Sequence, residues 1–132
     1  MGRLLIVKPA YKSGWTIPGG VMEADGETPW EACRREVREE TGVEAELICK
    51  LTDIKYIYVR SWGDGQRVFK VVSFYLLRYK SGRIGQISPD MRREVRQAMW
   101  LPLDEAPQKL SYRGERDVVK LAQEYVEKHP EP

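Results

Sequence analysis

Three glutamates, Glu36, Glu39 and Glu40, are spaced so that they could act together. On an α-helix this spacing places all three within an arc of about 100°. Carboxylates on one helix face repel one another at such separations. Hard divalent cations such as Mg²⁺ and Mn²⁺ prefer oxygen ligands and would offset that repulsion. The spacing therefore makes this face a candidate site for Mg²⁺ or Mn²⁺.

An ordinary solvated acidic face is the alternative interpretation of the same residues. Arg34, Arg35 and Arg38 lie beside the glutamates and could pair with them, and charge runs are usually solvated. Arg35 directly precedes Glu36, so it could also partly neutralise a working cluster and hold one carboxylate in place. Charge alone leaves both interpretations open.

The helix that would carry these glutamates is marked at both ends. Thr28 has the form of an N-cap, Pro29 suits the first helical position, and Glu31 completes a T-x-x-E capping box. Gly42 stands where a left-handed C-terminal cap is needed. The sequence therefore predicts a helix over residues 29–41. Its apolar side would consist of Trp30, Cys33, Val37 and Thr41.

With its flanks, this segment resembles the Nudix box, G-x5-E-x7-R-E-U-x-E-E-x-G-U, in which U is aliphatic. Glu27 is followed by seven residues and then by REVREETGV (35–43), which matches the second half at every fixed position. One departure exists, because six residues separate Gly20 from Glu27 where the pattern has five. The extra residue lies in the loop before the helix and leaves the helical carboxylates in register.

The resemblance implies a fold and an activity. The fold is the Nudix-type α/β/α sandwich, with a mixed β-sheet between helices, expected here as a single domain over residues 1–132. The activity is metal-dependent hydrolysis of a nucleoside diphosphate linked to another group X. Nudix domains usually have a further strand before residues 3–8, and Met1-Gly2 leave no space for it. That first strand is therefore expected to be missing. Either the start has been trimmed, or the sheet edge is covered in another way, such as by a partner chain in a homodimer.

The resemblance also implies roles for individual residues. Glu36, Glu39 and Glu40 are the expected metal ligands, joined by a main-chain carbonyl near Gly20, because glycine allows close backbone approach. Arg35 and Glu36 are expected to be catalytic.

Glu94 stands six residues before Trp100, where Nudix domains often place an acidic residue. We expect it to be an additional metal ligand or a general base. The alternative is a plain surface glutamate among Arg92, Arg93 and Arg96.

The rest of the chain alternates between strand and helix patterns. Predicted strands cover 3–8, 43–51, 53–60, 66–79 and 100–103, with a hairpin signal at 62–65. The run 66–79 is apolar on both faces, so it is expected to be covered on both sides. Asp104 is expected to cap a brief helix. A closing helix over 114–127 would have an apolar side of Val118, Val119, Leu121, Ala122 and Val126.

Composition excludes several classes of protein. The 132 residues carry a formal net charge of only +2, so no stripe for a nucleic-acid polymer is expected. No apolar run approaches the roughly 18 residues that span a membrane. Cys33 and Cys49 form neither a disulfide framework nor a metal-ligand spacing, which favours two buried thiols and a cytoplasmic location. No nucleophilic Ser, Cys or His constellation competes with the carboxylates.

The second half of the chain is also similar to bacterial diadenosine tetraphosphate hydrolases within the Nudix group. The similar segments are 56–58 (YIY), 67–70 (RVFK), 74–80 (FYLLRYK) and 110–114 (LSYRG). Tyr56, Tyr58 and Tyr112 could stack on adenine rings, and Lys70 could neutralise an extended polyphosphate. These residues are equally compatible with ordinary solvent-facing strand positions.

Other substrates and one other class of function remain open. Pro18-Gly19-Gly20 departs from the diadenosine tetraphosphate group, where a lysine is expected between proline and glycine. ADP-ribose pyrophosphatases and sanitising hydrolases of oxidised nucleoside triphosphates are alternatives within the superfamily. A non-hydrolytic nucleotide-binding sensor is the alternative from another class, although such domains typically lose box glutamates that this chain keeps.

Overall fold

The computed structural model describes residues 3–9, 14–18, 26–59, 63 and 65–129, which contain four strands and four helices. The elements in chain order are β1 (Arg3–Pro9), α1 (Pro29–Thr41), β2 (Val43–Val59), β3 (Arg67–Gly82), α2 (Pro89–Glu94), β4 (Val95–Pro102), α3 (Ala106–Lys109) and α4 (Arg113–Lys128). The α/β class predicted from the sequence is confirmed.

The described strands form two antiparallel pairs. β1 pairs with β4, and β2 pairs with β3 as a long hairpin that runs from Val43 opposite Gly82 to Val59 opposite Arg67. The single parallel contact is an isolated bridge between Trp15 and Leu110. Within the described ranges, the expected mixed sheet is therefore represented by antiparallel ladders and one parallel bridge.

Strand β2 is continuous where the sequence predicted two strands, 43–51 and 53–60. The ladder contains register shifts between Leu47 and Cys49 and between Lys50 and Thr52. An inserted residue reverses the inward and outward alternation of a strand without ending its pairing. The two-strand prediction was wrong because it took the broken alternation for a break in the strand.

Helix α1 begins and ends where its caps predicted. The Thr28 Oγ1 accepts a hydrogen bond from the Glu31 N–H at 3.2 Å, and the Thr28 N–H donates to Glu31 Oε2 at 3.5 Å. Gly42 is left-handed, with φ 83°, and its N–H donates to the Arg38 carbonyl at 2.8 Å. The capping box and the glycine cap are both confirmed.

Two expectations for the C-terminal helices were wrong. Asp104 does not cap α3, because that helix begins at Ala106, and Glu105 at the capping position makes no side-chain capping bond. On α4, Val118, Val119 and Ala122 are buried, but Leu121 is 38% exposed. At about 100° per residue, Leu121 falls about 110° from the centre of the buried arc.

Two apolar clusters anchor these elements. Leu103, Ala106, Leu110 and Val119 form one, against which Leu4, Trp15, Ile17, Met99, Leu101 and Val126 pack. Val37 and Val43 form the other, with Cys33, Ala98 and Trp100 around them. The second cluster lies under the apolar side of α1, and the acidic face lies beside that side, with Glu36 itself buried.

The outer half of the β2–β3 hairpin is less covered than expected. Ile57, Val59 and Phe69 are each 62% exposed, and Val71 is 52% exposed. Ile57 lies opposite Phe69 in the ladder, so both side chains lie on the same face. Residues 72–77 are half-buried. The expectation of cover on both sides therefore fails toward the hairpin end and at Tyr79, which is 52% exposed.

Gly42 is predicted to be far more sensitive to alanine than a glycine in open space. A Cβ at Gly42 would lie 2.5 Å from the Arg83 carbonyl oxygen and 2.8 Å from that of Gln86. Left-handed strain alone costs about 1–2 kcal/mol, and backbone oxygens cannot move aside as a side chain can. We expect Gly42→Ala to lower the free energy of unfolding by about 3 kcal/mol or more in urea titrations.

Gly63→Ala is the matched control for this substitution. Gly63 has φ 78°, but no atom of the described residues lies within 4 Å of the added Cβ, so we expect only the left-handed strain of about 1–2 kcal/mol. Equal losses in the two variants would show that the contact with residues 83 and 86 does not matter.

Candidate active site

Arg35 is the centre of the acidic cluster on α1. Its Nε donates to Glu27 Oε2 at 2.9 Å and its Nη2 to Glu27 Oε1 at 3.2 Å. Its Nη1 donates to Glu36 Oε1 at 2.8 Å and to Glu39 Oε2 at 3.2 Å. One guanidinium therefore binds three carboxylates, one of them in the two-pronged geometry that suits arginine best.

Three of the four side chains in this cluster are largely shielded from water. The side chains of Arg35, Glu27 and Glu36 are only 18%, 11% and 10% exposed, whereas that of Glu39 is 40% exposed. The hydrogen bond to Glu27, followed by that to Glu36, raises the pKa of Arg35 above its ordinary value. The guanidinium therefore stays charged at every accessible pH, and the buried carboxylates always have a cation beside them.

Glu27 is the residue that sequence reasoning matched to the box without giving it a function. It lies eight residues before Arg35, just outside the N-terminus of α1, and its carboxylate binds Arg35 through both oxygens. The signal was present in the fixed E-x7-R spacing. That spacing brings a carboxylate from the preceding turn beside an arginine in the middle of the helix.

Glu40 lies on another side of the cluster. It is half-buried and lines a cavity of about 220 Å³ together with residues from α2 and β4. Burial, and then the negative charge of Glu40, raises the pKa of the Cys33 thiol to about 11. Cys33 therefore stays a neutral thiol at physiological pH and is suited to packing rather than to nucleophilic chemistry.

The predicted metal ligands have side chains of the chemical type that binds a hard cation. Glu36, Glu39 and Glu40 supply only carboxylate oxygens, the donor type that Mg²⁺ and Mn²⁺ prefer. Within the described ranges, no three Asp, Glu, His or Cys side chains converge as a metal-holding group. Gly20 lies outside the described residues. The donor chemistry fits a hard divalent cation, and the ligand set stays a prediction.

Glu94 is the last residue of α2 and is exposed. The structure describes no hydrogen bond or ion pair of Glu94 with the α1 glutamates. Its neighbours Arg92, Val95 and Arg96 line the cavity beside Glu40, whereas Glu94 does not. Its role as ligand or base stays a prediction.

Two of the predicted substrate contacts lie near the start of α4. Tyr56 and Tyr112 are each 40% exposed, and the Tyr56 hydroxyl would be 3.4 Å from a Cβ placed at Gly114. Burial, and then the charge of Glu115, raises the pKa of the Tyr56 hydroxyl. The side chains of Tyr58 and Lys70 lie outside the described part of the structure.

Glu115 is a positioning residue that sequence reasoning missed. Its Oε2 accepts from Thr16 Oγ1 at 2.6 Å and its Oε1 from the Ile17 N–H at 3.0 Å. Next to it, the Ser111 N–H donates to the Trp15 carbonyl at 3.2 Å. These bonds attach the segment before Gly19-Gly20 to α4. An acidic residue in the first turn of a helix was the only signal, and it does not reveal a partner 98 residues away.

Comparisons with known proteins identify the family. The NUDIX domain matches residues 1–122, so the chain belongs to the Nudix family. It is 37% identical over 114 residues to "Putative mutator protein MutT4" of Mycobacterium tuberculosis (strain CDC 1551 / Oshkosh), covering 86% of this chain and 43% of that protein. It is 32% identical over 127 residues to the 8-oxo-dGDP phosphatase NUDT18 of Homo sapiens, covering 93% and 35%. The chain thus spans less than half the length of these curated relatives.

The solved structures confirm the fold. A C. elegans Ap4A hydrolase in a binary complex superposes with a TM-score of 0.72 at 21% identity, covering 95% of this chain and 86% of that one. The predicted Nudix-type fold is therefore confirmed. In the described part of the chain, no helix is long and apolar enough to cross a membrane. The single-domain assignment over residues 1–132 stays a prediction.

Removing the Arg35 guanidinium is predicted to destabilise the fold strongly. Arg35→Met would leave Glu27 and Glu36, 11% and 10% exposed, without their shared cation. Breaking a buried pair on one side costs about 3–5 kcal/mol, so we expect a loss of about 3 kcal/mol in urea unfolding at pH 7.

Arg34→Met is the control on the same helix. Arg34 is 55% exposed and pairs with Glu44 at 3.5 Å, and exposed pairs are worth about 0–1 kcal/mol. If both variants lost the same small amount of stability, Arg35 would not be the anchor of the cluster.

Proposed function

We propose that this chain is a metal-dependent pyrophosphohydrolase that cleaves a nucleoside diphosphate linked to another group X. The observation that carries the proposal is the cluster of Glu27, Glu36 and Glu39 on Arg35, on the helix of the matched Nudix domain. The names of its relatives, which include a phosphatase of 8-oxo-dGDP, support the same class of reaction.

Nudix hydrolases generally use a divalent metal, and we propose Mg²⁺ or Mn²⁺ for this chain. Glu36, Glu39 and Glu40 would hold the metal, together with a main-chain carbonyl near Gly20. When bound, such an ion offsets phosphate charge and lowers the pKa of a coordinated water. Each carboxylate has two oxygens, so a bond to Arg35 and a bond to a cation are compatible.

Side chains of the protein would position the carboxylates and accept the proton of the attacking water. Arg35 positions Glu36 and Glu39, and Glu36 or Glu94 takes the proton of the attacking water. Attack at phosphorus breaks one P–O–P bond. The hydroxyl stays on the attacked phosphorus, and the leaving phosphate oxygen ends with a proton. The products are a nucleoside phosphate and a second phosphorylated compound.

A dinucleoside polyphosphate such as diadenosine tetraphosphate is the first candidate substrate. Two observations support this substrate. The second half of the chain resembles bacterial diadenosine tetraphosphate hydrolases, and the half-exposed rings of Tyr56 and Tyr112 lie near the start of α4. Aromatic stacking tolerates any base, so these rings suit either end of such a molecule. Tyr58 and Lys70 complete the proposed contacts.

Oxidised guanine nucleotides are the second candidate substrate. The specific observation that favours them is the name of the human relative and of a Mycolicibacterium smegmatis relative, an 8-oxo-(d)GTP phosphatase. Two other relatives are named NAD-capped RNA hydrolases, so a capped RNA also belongs among the compounds to test. ADP-ribose remains the third small-molecule alternative. A homodimer and a cytoplasmic location also stay predictions.

A substrate panel tests the class and the identity of X together. Diadenosine tetraphosphate, ADP-ribose, dGTP, 8-oxo-dGTP, 8-oxo-dGDP and an NAD-capped RNA would be incubated with Mg²⁺ or Mn²⁺, and products followed by chromatography. We expect ATP and AMP from diadenosine tetraphosphate. A preference for the 8-oxo compounds would show that diadenosine tetraphosphate is not the substrate, while the proposed pyrophosphate hydrolysis would stand. Binding of nucleotides without turnover would support the sensor instead.

Glu40→Gln is predicted to abolish turnover without unfolding the protein. The substitution removes a proposed metal-ligand charge, and metal stabilisation of the transition state is worth several kcal/mol, so kcat should fall by roughly a hundredfold or more. Steady-state kinetics on the best panel substrate measures this. Glu124→Gln, at an exposed position on α4, is the control and should keep full activity. Full turnover by Glu40→Gln would overturn the metal assignment.

A further inference from the structure

A cavity beside Glu40 is lined by residues that have no role in the proposed hydrolysis. It lies at the C-terminal part of α1, against the α2–β4 junction, and has a volume of about 220 Å³. Its charged lining residues are Glu40, Arg92 and Arg96, and Ile87 and Val95 contribute apolar surface. Two arginines and one glutamate give the residues that line the cavity a net positive charge. The cavity therefore favours an anion.

Arg92 is held at this cavity through the loop that follows β3. The Gly85 N–H donates to the carbonyl of Thr41 at 3.2 Å, which attaches the loop to the end of α1. The Gly85 carbonyl in turn accepts from Arg92 Nη2 at 3.0 Å. This bond uses one of the five N–H donors of the guanidinium. Arg92 is therefore positioned by the backbone and retains donors for a ligand.

Arg96 differs from Arg92 in its bonding within the described residues. In the described part of the chain it makes no hydrogen bond or ion pair, and its side chain is exposed. It stands in β4, four residues after Arg92, at the same cavity. An arginine with unused donors beside a positioned arginine is an arrangement that recognises phosphate oxygens.

We propose that Arg92 and Arg96 form a phosphate subsite. The subsite takes a phosphoryl group of the substrate beyond the two that flank the broken bond. This inference rests on the proposed function, because Glu40 is both a proposed metal ligand and one wall of the cavity. The α1 carboxylates then serve the two reacting phosphates, and the arginines serve a third. The substrate class is therefore nucleotides with three or more phosphates, rather than compounds with two, such as ADP-ribose.

Kinetics on substrates with different numbers of phosphates test the subsite. Arg96→Met removes a group without protein partners and should leave the fold intact. We expect it to raise KM about tenfold for diadenosine tetraphosphate and for dGTP, with kcat nearly unchanged. The KM for ADP-ribose should stay the same. An unchanged KM for every substrate, or an equal rise for ADP-ribose, would overturn the proposal.

Arg93→Met is the matched control, since Arg93 is an exposed arginine of α2 that does not line the cavity. It should change no KM. Arg92→Met should act like Arg96→Met. A rise in KM for the Arg93 variant equal to that for the Arg96 variant would indicate general charge attraction and overturn the subsite.

A binding measurement separates this proposal from the proposed hydrolysis. Inorganic tripolyphosphate would be titrated calorimetrically into the intact protein with Mg²⁺, while ³¹P NMR confirms that the probe stays whole. We expect binding to weaken about tenfold in Arg96→Met and not in Arg93→Met. That result without turnover of any substrate would keep the subsite and discard the hydrolase. Turnover of a substrate without binding of tripolyphosphate to the wild type would keep the hydrolase and discard the subsite.

Discussion

The structure depends on the ion pairs of one guanidinium, that of Arg35, with three carboxylates. Glu36 is 8% exposed, and a carboxylate so far from water is costly unless a cation lies beside it. Arg35 supplies that cation and also binds Glu27 and Glu39. The cluster thus combines several carboxylates with burial, which suits the divalent cation that we propose for this site.

These ion pairs keep a fixed geometry only if α1 cannot rotate or shift along its axis. At its start, the capping box of Thr28 and Glu31 closes the first turn. At its end, the buried Thr41 Oγ1 donates to the Val37 carbonyl at 2.5 Å and accepts from the Val43 N–H at 3.2 Å. Gly42 then passes so close to the backbone of residues 83–86 that only glycine fits. Both ends are held, so the acidic face has one orientation.

The same loop connects the end of α1 to Arg92. Gly85 bonds the end of α1 through its N–H and Arg92 through its carbonyl. The helix that carries the acidic cluster and one arginine of the cavity are therefore joined by hydrogen bonds through Gly85. In the proposed subsite, a phosphate chain would extend from the α1 carboxylates to Arg92 and Arg96.

The sequence by itself determined α1, its caps and its row of glutamates, because each of those depends on residues within about four positions of one another. The tertiary structure alone decided the partners of Glu115, the cavity of Arg92 and Arg96, and the continuity of β2 across its register shifts. The reason is physical. Local hydrogen bonds repeat with the helical period and can be read along the chain, whereas contacts between distant segments depend on how whole elements pack.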